Sequence, residues 1–165
     1  MVCSRPRTGL MAIRVLAVGA KMPRWVDTGV DEYQKRLPRD FKVSWHSIPP
    51  AKRQGDAPQR LMAAEADAIR RQIKPREHLV VLDVGGTLVS TEAIAAQIAR
   101  WQLNGESAAI VIGGPDGIDP ELGQSATAQW SLGRITLPHP LVRVILAEQL
   151  YRAWSINAQH PYHRA

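Results

Sequence analysis

The sequence has little of what marks several protein classes. Its 165 residues include a single cysteine, Cys3, so no disulfide can form within the chain and no cysteine cluster is available to bind zinc. Its uncharged apolar runs are too short to cross a bilayer, which argues against a transmembrane helix and a membrane-bound protein. Because a chain without disulfides suits a reducing compartment, we expect a cytoplasmic protein.

Several catalytic motifs are also missing. The chain has no G-x-x-x-x-G-K-[ST] loop, no G-x-G-x-x-G after its first predicted strand and no G-x-S-x-G elbow. These absences argue against a P-loop nucleotidase, a dinucleotide-binding enzyme and an α/β-hydrolase. His, Asp and Glu nowhere show the spacing of a metal site, so we expect no metal.

The charge balance is basic. Twenty-one Lys and Arg residues against fifteen Asp and Glu give a net charge of +6. This balance favours a polyanionic partner, above all nucleic acid, although a generic basic protein is the alternative. The length and the 45% hydrophobic content predict one soluble domain over residues 11–165. Residues 1–10 are interpreted as a disordered extension that precedes the natural start at Met11.

Short β-rich runs alternate with helical patterns along the whole chain. The predicted strands cover residues 13–18, 41–48, 79–84, 108–112 and 131–137. The predicted helices cover residues 22–37, 59–72, 90–103, 119–128 and 141–157. Such alternation predicts an α/β fold with a mostly parallel sheet and helices on both faces.

Three of the predicted strands end in unusual loops, at 84–87, 113–117 and 137–140. Glycine lets the backbone approach a ligand closely, and proline fixes the path of a loop. Because ligands of open α/β sheets bind outside the carboxyl ends of the strands, the three loops together predict a pocket lined largely by main chain. Each loop alone is better explained as a simple turn, and it is the coincidence of three that favours a pocket. The Lys52-Arg53 pair, in a predicted mobile loop, could contact phosphate or simply be solvated.

The last helix and the tail after it carry rings and cations. Glu148 lies four residues before Arg152, a spacing that allows an ion pair; alternatively Arg152 binds phosphate or a base edge. The tail at His160–Arg164 is either a frayed end or a group that stacks on an RNA base. His139 either caps the last helix or takes part in the chemistry.

Three segments resemble one protein family. At 112–117 (IGGPDG), 131–143 (SLGRITLPHPLVR) and 148–164 (EQLYRAWSINAQHPYHR) the chain is similar to the large-subunit (23S) ribosomal RNA pseudouridine N3-methyltransferases of the SPOUT superfamily, the RlmH type. The opening VLAVGAKMPRWVDTGVDEYQKRLP matches as well, so the resemblance covers nearly all of residues 11–164.

The resemblance implies a fold, a cofactor and a reaction. The family has a C-terminal trefoil knot that binds S-adenosylmethionine, and its members are homodimers with the pocket near the subunit interface. The expected reaction methylates N3 of a pseudouridine in the helix 69 loop of 23S ribosomal RNA, with the assembled ribosome as the preferred substrate. The cofactor contacts implied by the motifs are Leu82, Gly113, Leu132, Gly133, Arg134, Ile135, Thr136 and Leu137, and we expect main-chain contacts in the last segment.

Candidate catalytic residues follow from the same motifs. Loss of the N3 proton needs an acceptor, for which neutral His163 is the first candidate and His139 the second. Tyr162 or Arg152 would orient the base. Two other functions remain open at this point: a non-catalytic RNA-binding or ribosome-assembly protein, and a SPOUT enzyme that acts on transfer RNA. Cofactor binding and the identity of the methylated RNA discriminate between these functions.

Overall fold

A computed structural model describes residues 10–19, 21–52 and 55–164 of the chain. Strands and helices alternate throughout this part. The strands are β1 (Met11–Val18), β2 (Phe41–Ile48), β3 (Glu77–Leu88), β4 (Ser107–Ile112) and β5 (Ala128–Ser131). The helices are α1 (Arg24–Gln34), α2 (Pro58–Gln72), α3 (Thr91–Leu103), α4 (Pro120–Ser125) and α5 (His139–Asn157), followed by a 3-10 turn at Pro161–Arg164.

All strand pairs in the sheet are parallel, and the strand order is β2-β1-β4-β3-β5. The connection after β1 runs to β2 on one side and the connection after β4 runs to β5 on the other, which places a topological switch between β1 and β4. A ligand crevice is expected at this point, beyond the carboxyl ends of the two strands. The predicted α/β fold with a parallel sheet is confirmed.

Helices cover both faces of the sheet. On one face, α3 and α5 pack their apolar side chains on the odd-numbered residues of β1, such as Ile13 and Val15. On the other, α2 and α4 pack on even-numbered residues such as Leu16 and Val18. This division follows from the strand period of two, which sends successive side chains to opposite faces. The strands buried on both faces are accordingly almost continuous apolar runs.

Local sequence signals set the ends of several helices. The Ser90 side chain accepts a hydrogen bond from the N–H of Ala93, and Asp119 accepts one from Leu122, as expected of N-caps. Proline occupies the first turn of α2, α4 and α5. Pro23 lies just outside α1, at its N-cap, so that helix is shorter than the predicted 22–37.

Two strand predictions were wrong. β3 continues through Gly85 and Gly86 to Leu88, and a register shift against β5 occurs between Leu82 and Thr87. A Cβ on Gly86 would stand 2.7 Å from the carbonyl oxygen of Gln129, which explains why a glycine passes through the strand here. The last strand ends at Ser131 instead of beginning there, so residues 132–138 form an irregular segment before α5.

Some expectations lie beyond these observations. The predicted disordered extension falls almost entirely on residues 1–9, which lie outside the described residues; Leu10 is exposed. The single domain over 11–165 and the trefoil knot stay predictions. Within the described ranges, no helix is long and apolar enough to span a membrane.

Candidate active site

A cavity of about 990 Å³ lies beyond the carboxyl ends of β1 and β4 and beside β3 where its pairing with β4 ends at Leu82. Much of its wall comes from Leu82–Val84, Ile112–Ile118 and the stretch from Leu132 to Val142, which overlap the three loops predicted at 84–87, 113–117 and 137–140. The ends of β1 and β2 complete it with Val18, Gly19 and the residues from Pro50 to Lys52. Its size is at the upper end of the range for small-molecule sites. The cavity lies at the topological switch between β1 and β4, which is the position that the strand order predicts.

Six of the eight residues expected to hold the cofactor line this cavity: Leu82, Gly113, Leu132, Gly133, Ile135 and Leu137. The other two, Arg134 and Thr136, are not part of the wall. Arg134 turns back instead and donates a hydrogen bond from Nη1 to the carbonyl oxygen of Val84. Ile135 is 73% exposed although it borders the cavity, so an apolar ligand would cover it. The Gly85–Thr87 part of the first loop lines a separate groove along β5.

The wall segments are tied to one another. Ser131 Oγ lies 3.0 Å from the carbonyl oxygen of Val84 and 2.9 Å from that of Gly133, and Val89 donates its N–H to the Ser131 carbonyl. Gly113 is equally constrained, because a Cβ there would stand 2.9 Å from Ile118 Cδ1 and 3.0 Å from the backbone of Gly117. The loops around the cavity are therefore fixed by main-chain contacts before any ligand binds.

His139 borders the cavity at the start of α5. Its Nδ1 lies 2.9 Å from the carbonyl oxygen of Gly113, so Nδ1 carries the proton and donates. Its Nε2 accepts a hydrogen bond of 2.8 Å from Arg143 Nε. Burial lowers the pKa of His139, and the charge of Arg143 lowers it further, against the opposing effect of the Gly113 carbonyl. His139 is therefore a neutral ring with both nitrogens occupied.

The tail forms a second cluster, on the far part of α5. Arg152 donates to Glu148 at 2.8 Å, which confirms the predicted ion pair, and Tyr162 donates its hydroxyl to the same carboxylate at 3.1 Å. The Arg152 guanidinium lies 4.9 Å from the centre of the Tyr162 ring. Burial, together with the Glu148 carboxylate, raises the pKa of Tyr162 to about 12, so its hydroxyl stays protonated at neutral pH.

Helix α1 supports this cluster. The Tyr151 ring contacts Tyr162 with a centroid distance of 4.6 Å and Tyr33 of α1 at 6.3 Å. Arg36 lies over the rings of both Tyr33 and Tyr151. His163 donates from Nδ1 to the carbonyl oxygen of His160 at 2.6 Å, an arrangement that leaves its Nε2 as a lone-pair acceptor. The tail is an ordered aromatic and cationic surface and not a frayed end.

The two clusters lie apart within one chain. Glu148 and Arg152 follow His139 by nine and thirteen residues on α5, which corresponds to about 14 and 20 Å along the axis at 1.5 Å per residue. The structure thus brings His139 together with six of the cofactor residues, and Arg152, Tyr162 and His163 together with one another. It does not bring the two groups together in a single chain.

Sequence reasoning named Lys52 only as a possible phosphate contact, and it did not nominate two other charged residues at the cavity. Lys52 and Asp83 are the only fully charged side chains among the described lining residues, and Arg143 lies directly behind the wall. Asp83 is the one charge inside the apolar predicted strand 79–84, and Arg143 belongs to the LPHPLVR segment, so position alone could have nominated both. Among the described residues, no group of three or more His, Cys, Asp and Glu could hold a metal ion.

Comparison with known proteins shows which family the chain belongs to. The profile of the family described as "Predicted SPOUT methyltransferase" matches residues 11–163. Among curated proteins, the chain is 50% identical over 155 residues to "Ribosomal RNA large subunit methyltransferase H" of Chromohalobacter salexigens, over 93% of this chain and 100% of that protein.

Two further relatives carry the same name. The Hahella chejuensis protein is 47% identical over 155 residues, which cover 93% of this chain and 99% of the relative. The Marinomonas protein is 45% identical over 156 residues, with coverage of 93% and 100%. The matched region contains the cavity, α5 and the tail.

Proposed function

Because the chain belongs to the SPOUT methyltransferase family, we propose that it transfers a methyl group from S-adenosylmethionine to large-subunit (23S) ribosomal RNA. The acceptor in this proposal is N3 of a pseudouridine in the helix 69 loop, on the assembled ribosome. The ribosomal substrate is supported by the shared name of three relatives that are 45–50% identical over their whole length or nearly so. The nucleotide, the atom and the assembled state rest on the motif resemblance.

The cavity suits the proposed donor, and this fit is the observation on which the proposal depends. Leu82, Leu132, Ile135 and Leu137 offer apolar faces for a flat adenine ring, while Gly113 and Gly133 let the backbone approach. When bound, S-adenosylmethionine supplies an activated methyl group on a sulfonium. The chain then has to align the acceptor with that methyl group and remove the N3 proton.

The geometry favours His163 over His139 as the proton acceptor. His139 has no free lone pair, because Nδ1 donates to Gly113 and Nε2 accepts from Arg143. His163 uses only Nδ1, and its Nε2 is open to accept a proton. We therefore assign His163 the role of general base and His139 that of a residue that positions the Gly113 loop. Tyr162 and Arg152, which Glu148 holds together, present a ring and a cation to the base.

A complete site needs two chains. The tail cannot reach the cavity of its own chain without leaving Glu148, since about 14 to 20 Å of α5 separate the two groups. In a homodimer with two-fold symmetry, the tail of each protomer can lie at the cavity of its partner. We propose this arrangement as the active form, in which one chain binds the donor and the other presents the acceptor base.

The test is transfer of labelled methyl from S-adenosylmethionine to purified ribosomes that lack the modification. Free ribosomal RNA and transfer RNA serve as parallel acceptors. The proposal predicts label in large-subunit RNA, mainly when the ribosome is assembled. Label only in transfer RNA would show that the chain is a SPOUT enzyme with another substrate. Binding of ribosomes without binding of the donor would show a non-catalytic RNA-binding protein.

A further inference from the structure

The guanidinium of Arg143 is buried without a full set of partners. Arg143 is only 7% exposed, and its Nε donates to His139. Its Nη2 has no hydrogen-bond partner among the described residues. An arginine keeps its charge at neutral pH even though burial lowers its pKa. The Asp27 carboxylate acts on this charge and raises the pKa, but it makes no hydrogen bond to Nη2. A buried donor without a partner is costly, so an anion that accepts from Nη2 would stabilise the guanidinium.

The surroundings of Nη2 lead into the cavity. A Cβ on Gly19 would stand 3.0 Å from Nη2, 3.3 Å from Met22 Cε and 3.5 Å from His139 Nε2. Gly19, Met22 and His139 all line the cavity. Because Gly19 has no side chain and the Met22 thioether is flexible, a ligand inside the cavity can approach the guanidinium here.

A second cation lies at the same end. Gly19 donates its N–H to the carbonyl oxygen of Ile48, which joins the ends of β1 and β2, and Lys52 lines the cavity four residues later. Asp83, the acid of the wall, lies within β3, which is three strand spacings or about 14 Å from β2. The cavity thus has a cationic end at Gly19 and an acidic end at Asp83.

We propose that Arg143 and Lys52 form an oxyanion subsite at the Gly19 end of the cavity, and that it takes the carboxylate at the amino-acid end of the methyl donor. The proposal rests on the function proposed above. A carboxylate on a short flexible chain can reach a corner inside the cavity, whereas an RNA phosphate is carried by a bulky backbone. His139 completes the subsite as a positioning residue, because its Nε2 fixes the direction of the guanidinium.

Two ligands distinguish binding at the subsite from binding in the rest of the cavity. S-adenosylhomocysteine carries the amino-acid end, and 5′-methylthioadenosine lacks it but keeps the adenosine and the sulfur. Calorimetric titration of both ligands into the full chain gives their affinities without any need for turnover. Thermal unfolding with each ligand gives a second readout, since at a fixed concentration a ligand stabilises the folded state by an amount that rises with the logarithm of its affinity.

Arg143→Met should lower the affinity for S-adenosylhomocysteine about tenfold, as expected for the loss of a charged hydrogen bond. Lys52→Met, at an exposed position, should lower it about two- to fivefold. Neither variant should change the affinity for 5′-methylthioadenosine. Gly19→Ala keeps both cations but places a methyl group 3.0 Å from Nη2. It should lower the affinity for S-adenosylhomocysteine as Arg143→Met does, and it takes the place of Arg143→Met in the test if Arg143→Met folds poorly. Lys42→Met, on an exposed lysine near the start of β2, is the matched control.

If the Arg143 and Lys52 variants lose affinity equally for both ligands, or for neither, the subsite is overturned while the methyltransferase proposal stays intact. A raised KM for ribosomes with unchanged affinity for S-adenosylhomocysteine would move the subsite to an RNA phosphate and overturn its assignment to the donor. A wild-type chain that binds neither ligand would contradict both proposals. A loss of affinity for S-adenosylhomocysteine alone would support the subsite.

Discussion

Gly113→Ala tests how closely the glycine loop must approach the donor. A Cβ at this position meets Ile118 Cδ1 at 2.9 Å and both the carbonyl carbon and oxygen of Gly117 at 3.0 Å. Carbon atoms pack best at about 3.5–4.0 Å, so the new methyl group is at least half an ångström too close on two sides. Ile118 can rotate away, but Gly117 can move only with its loop, because its N–H is bonded to the carbonyl of Gly114.

The expected effects follow from this overpacking. Overpacking of this kind costs about 1–3 kcal/mol of folding stability. The displaced loop carries the carbonyl that fixes His139, so donor binding should weaken by about tenfold or more, where each factor of ten corresponds to about 1.4 kcal/mol. Titration with S-adenosylhomocysteine and urea denaturation measure the two losses.

Gly123→Ala is the matched control for this variant. Gly123 lies in α4, and its new Cβ would meet Gln129 at 3.4 Å or more, which is ordinary contact. Donor affinity should then stay within about twofold, and stability should hold or rise by up to about 1 kcal/mol, because alanine favours a helix over glycine. Unchanged donor binding in a folded Gly113→Ala variant would refute the view that this loop contacts the donor.

Three further predictions concern the base, the dimer and the core. His163→Ala should lower methyl transfer about a hundredfold or more while donor binding persists, whereas His139→Ala should weaken donor binding; full transfer in both variants would remove histidine base catalysis. At limiting donor, where Gly113→Ala keeps about a tenth of wild-type transfer or less, Gly113→Ala and His163→Ala chains should recover about a quarter of wild-type transfer when unfolded together and refolded at equal amounts, because half of the randomly assembled two-fold dimers carry one intact site of two; no recovery would place each site within one chain. Arg14→Met should cost about 3–5 kcal/mol in urea denaturation, because it leaves the buried Glu77 carboxylate, 2% exposed, without its paired hydrogen bonds of 2.6 and 2.8 Å. Burial raises the Glu77 pKa, but hydrogen bonds from Arg14 and from the backbone N–H of Lys74 outweigh it and leave that pKa lowered. The stabilisation by this pair is therefore complete above the unfolded pKa of about 4.3 and disappears as the pH falls through the folded value, so the difference between wild type and Arg14→Met should shrink in acid.

The sequence predicted the fold where periodicity was strong. Strands buried on both faces, such as β4, are continuous apolar runs, and caps such as Ser90 and Asp119 mark helix starts through local hydrogen bonds. The end of β5 was missed, because Leu132–Leu137 reads as apolar and β-rich. Gly133 takes a φ of 149° there, and the Ser131 hydroxyl lies within hydrogen-bond distance of the carbonyl oxygens of Val84 and Gly133, where the chain leaves the sheet.

The sequence predicted some features of the site and missed others, for a physical reason. The motifs nominated the residues that line the cavity, because glycine and proline loops after parallel strands meet at one edge. The motifs could not give distances. The tail that they nominated for the same reaction lies at the other end of α5 from the cavity within one chain. Burial of Arg143 and the open nitrogen of His163 depend on tertiary contacts that no local pattern encodes.

The most direct measurement of the central claim locates the methyl group. Modification-deficient ribosomes are incubated with the protein and S-adenosylmethionine, and the large-subunit RNA is then cut into fragments and nucleosides for mass spectrometry. The account predicts one added methyl group in the helix 69 fragment, carried on N3 of a pseudouridine, and none with the His163→Ala variant. A methyl group on another nucleotide, or none while the donor binds, would contradict it.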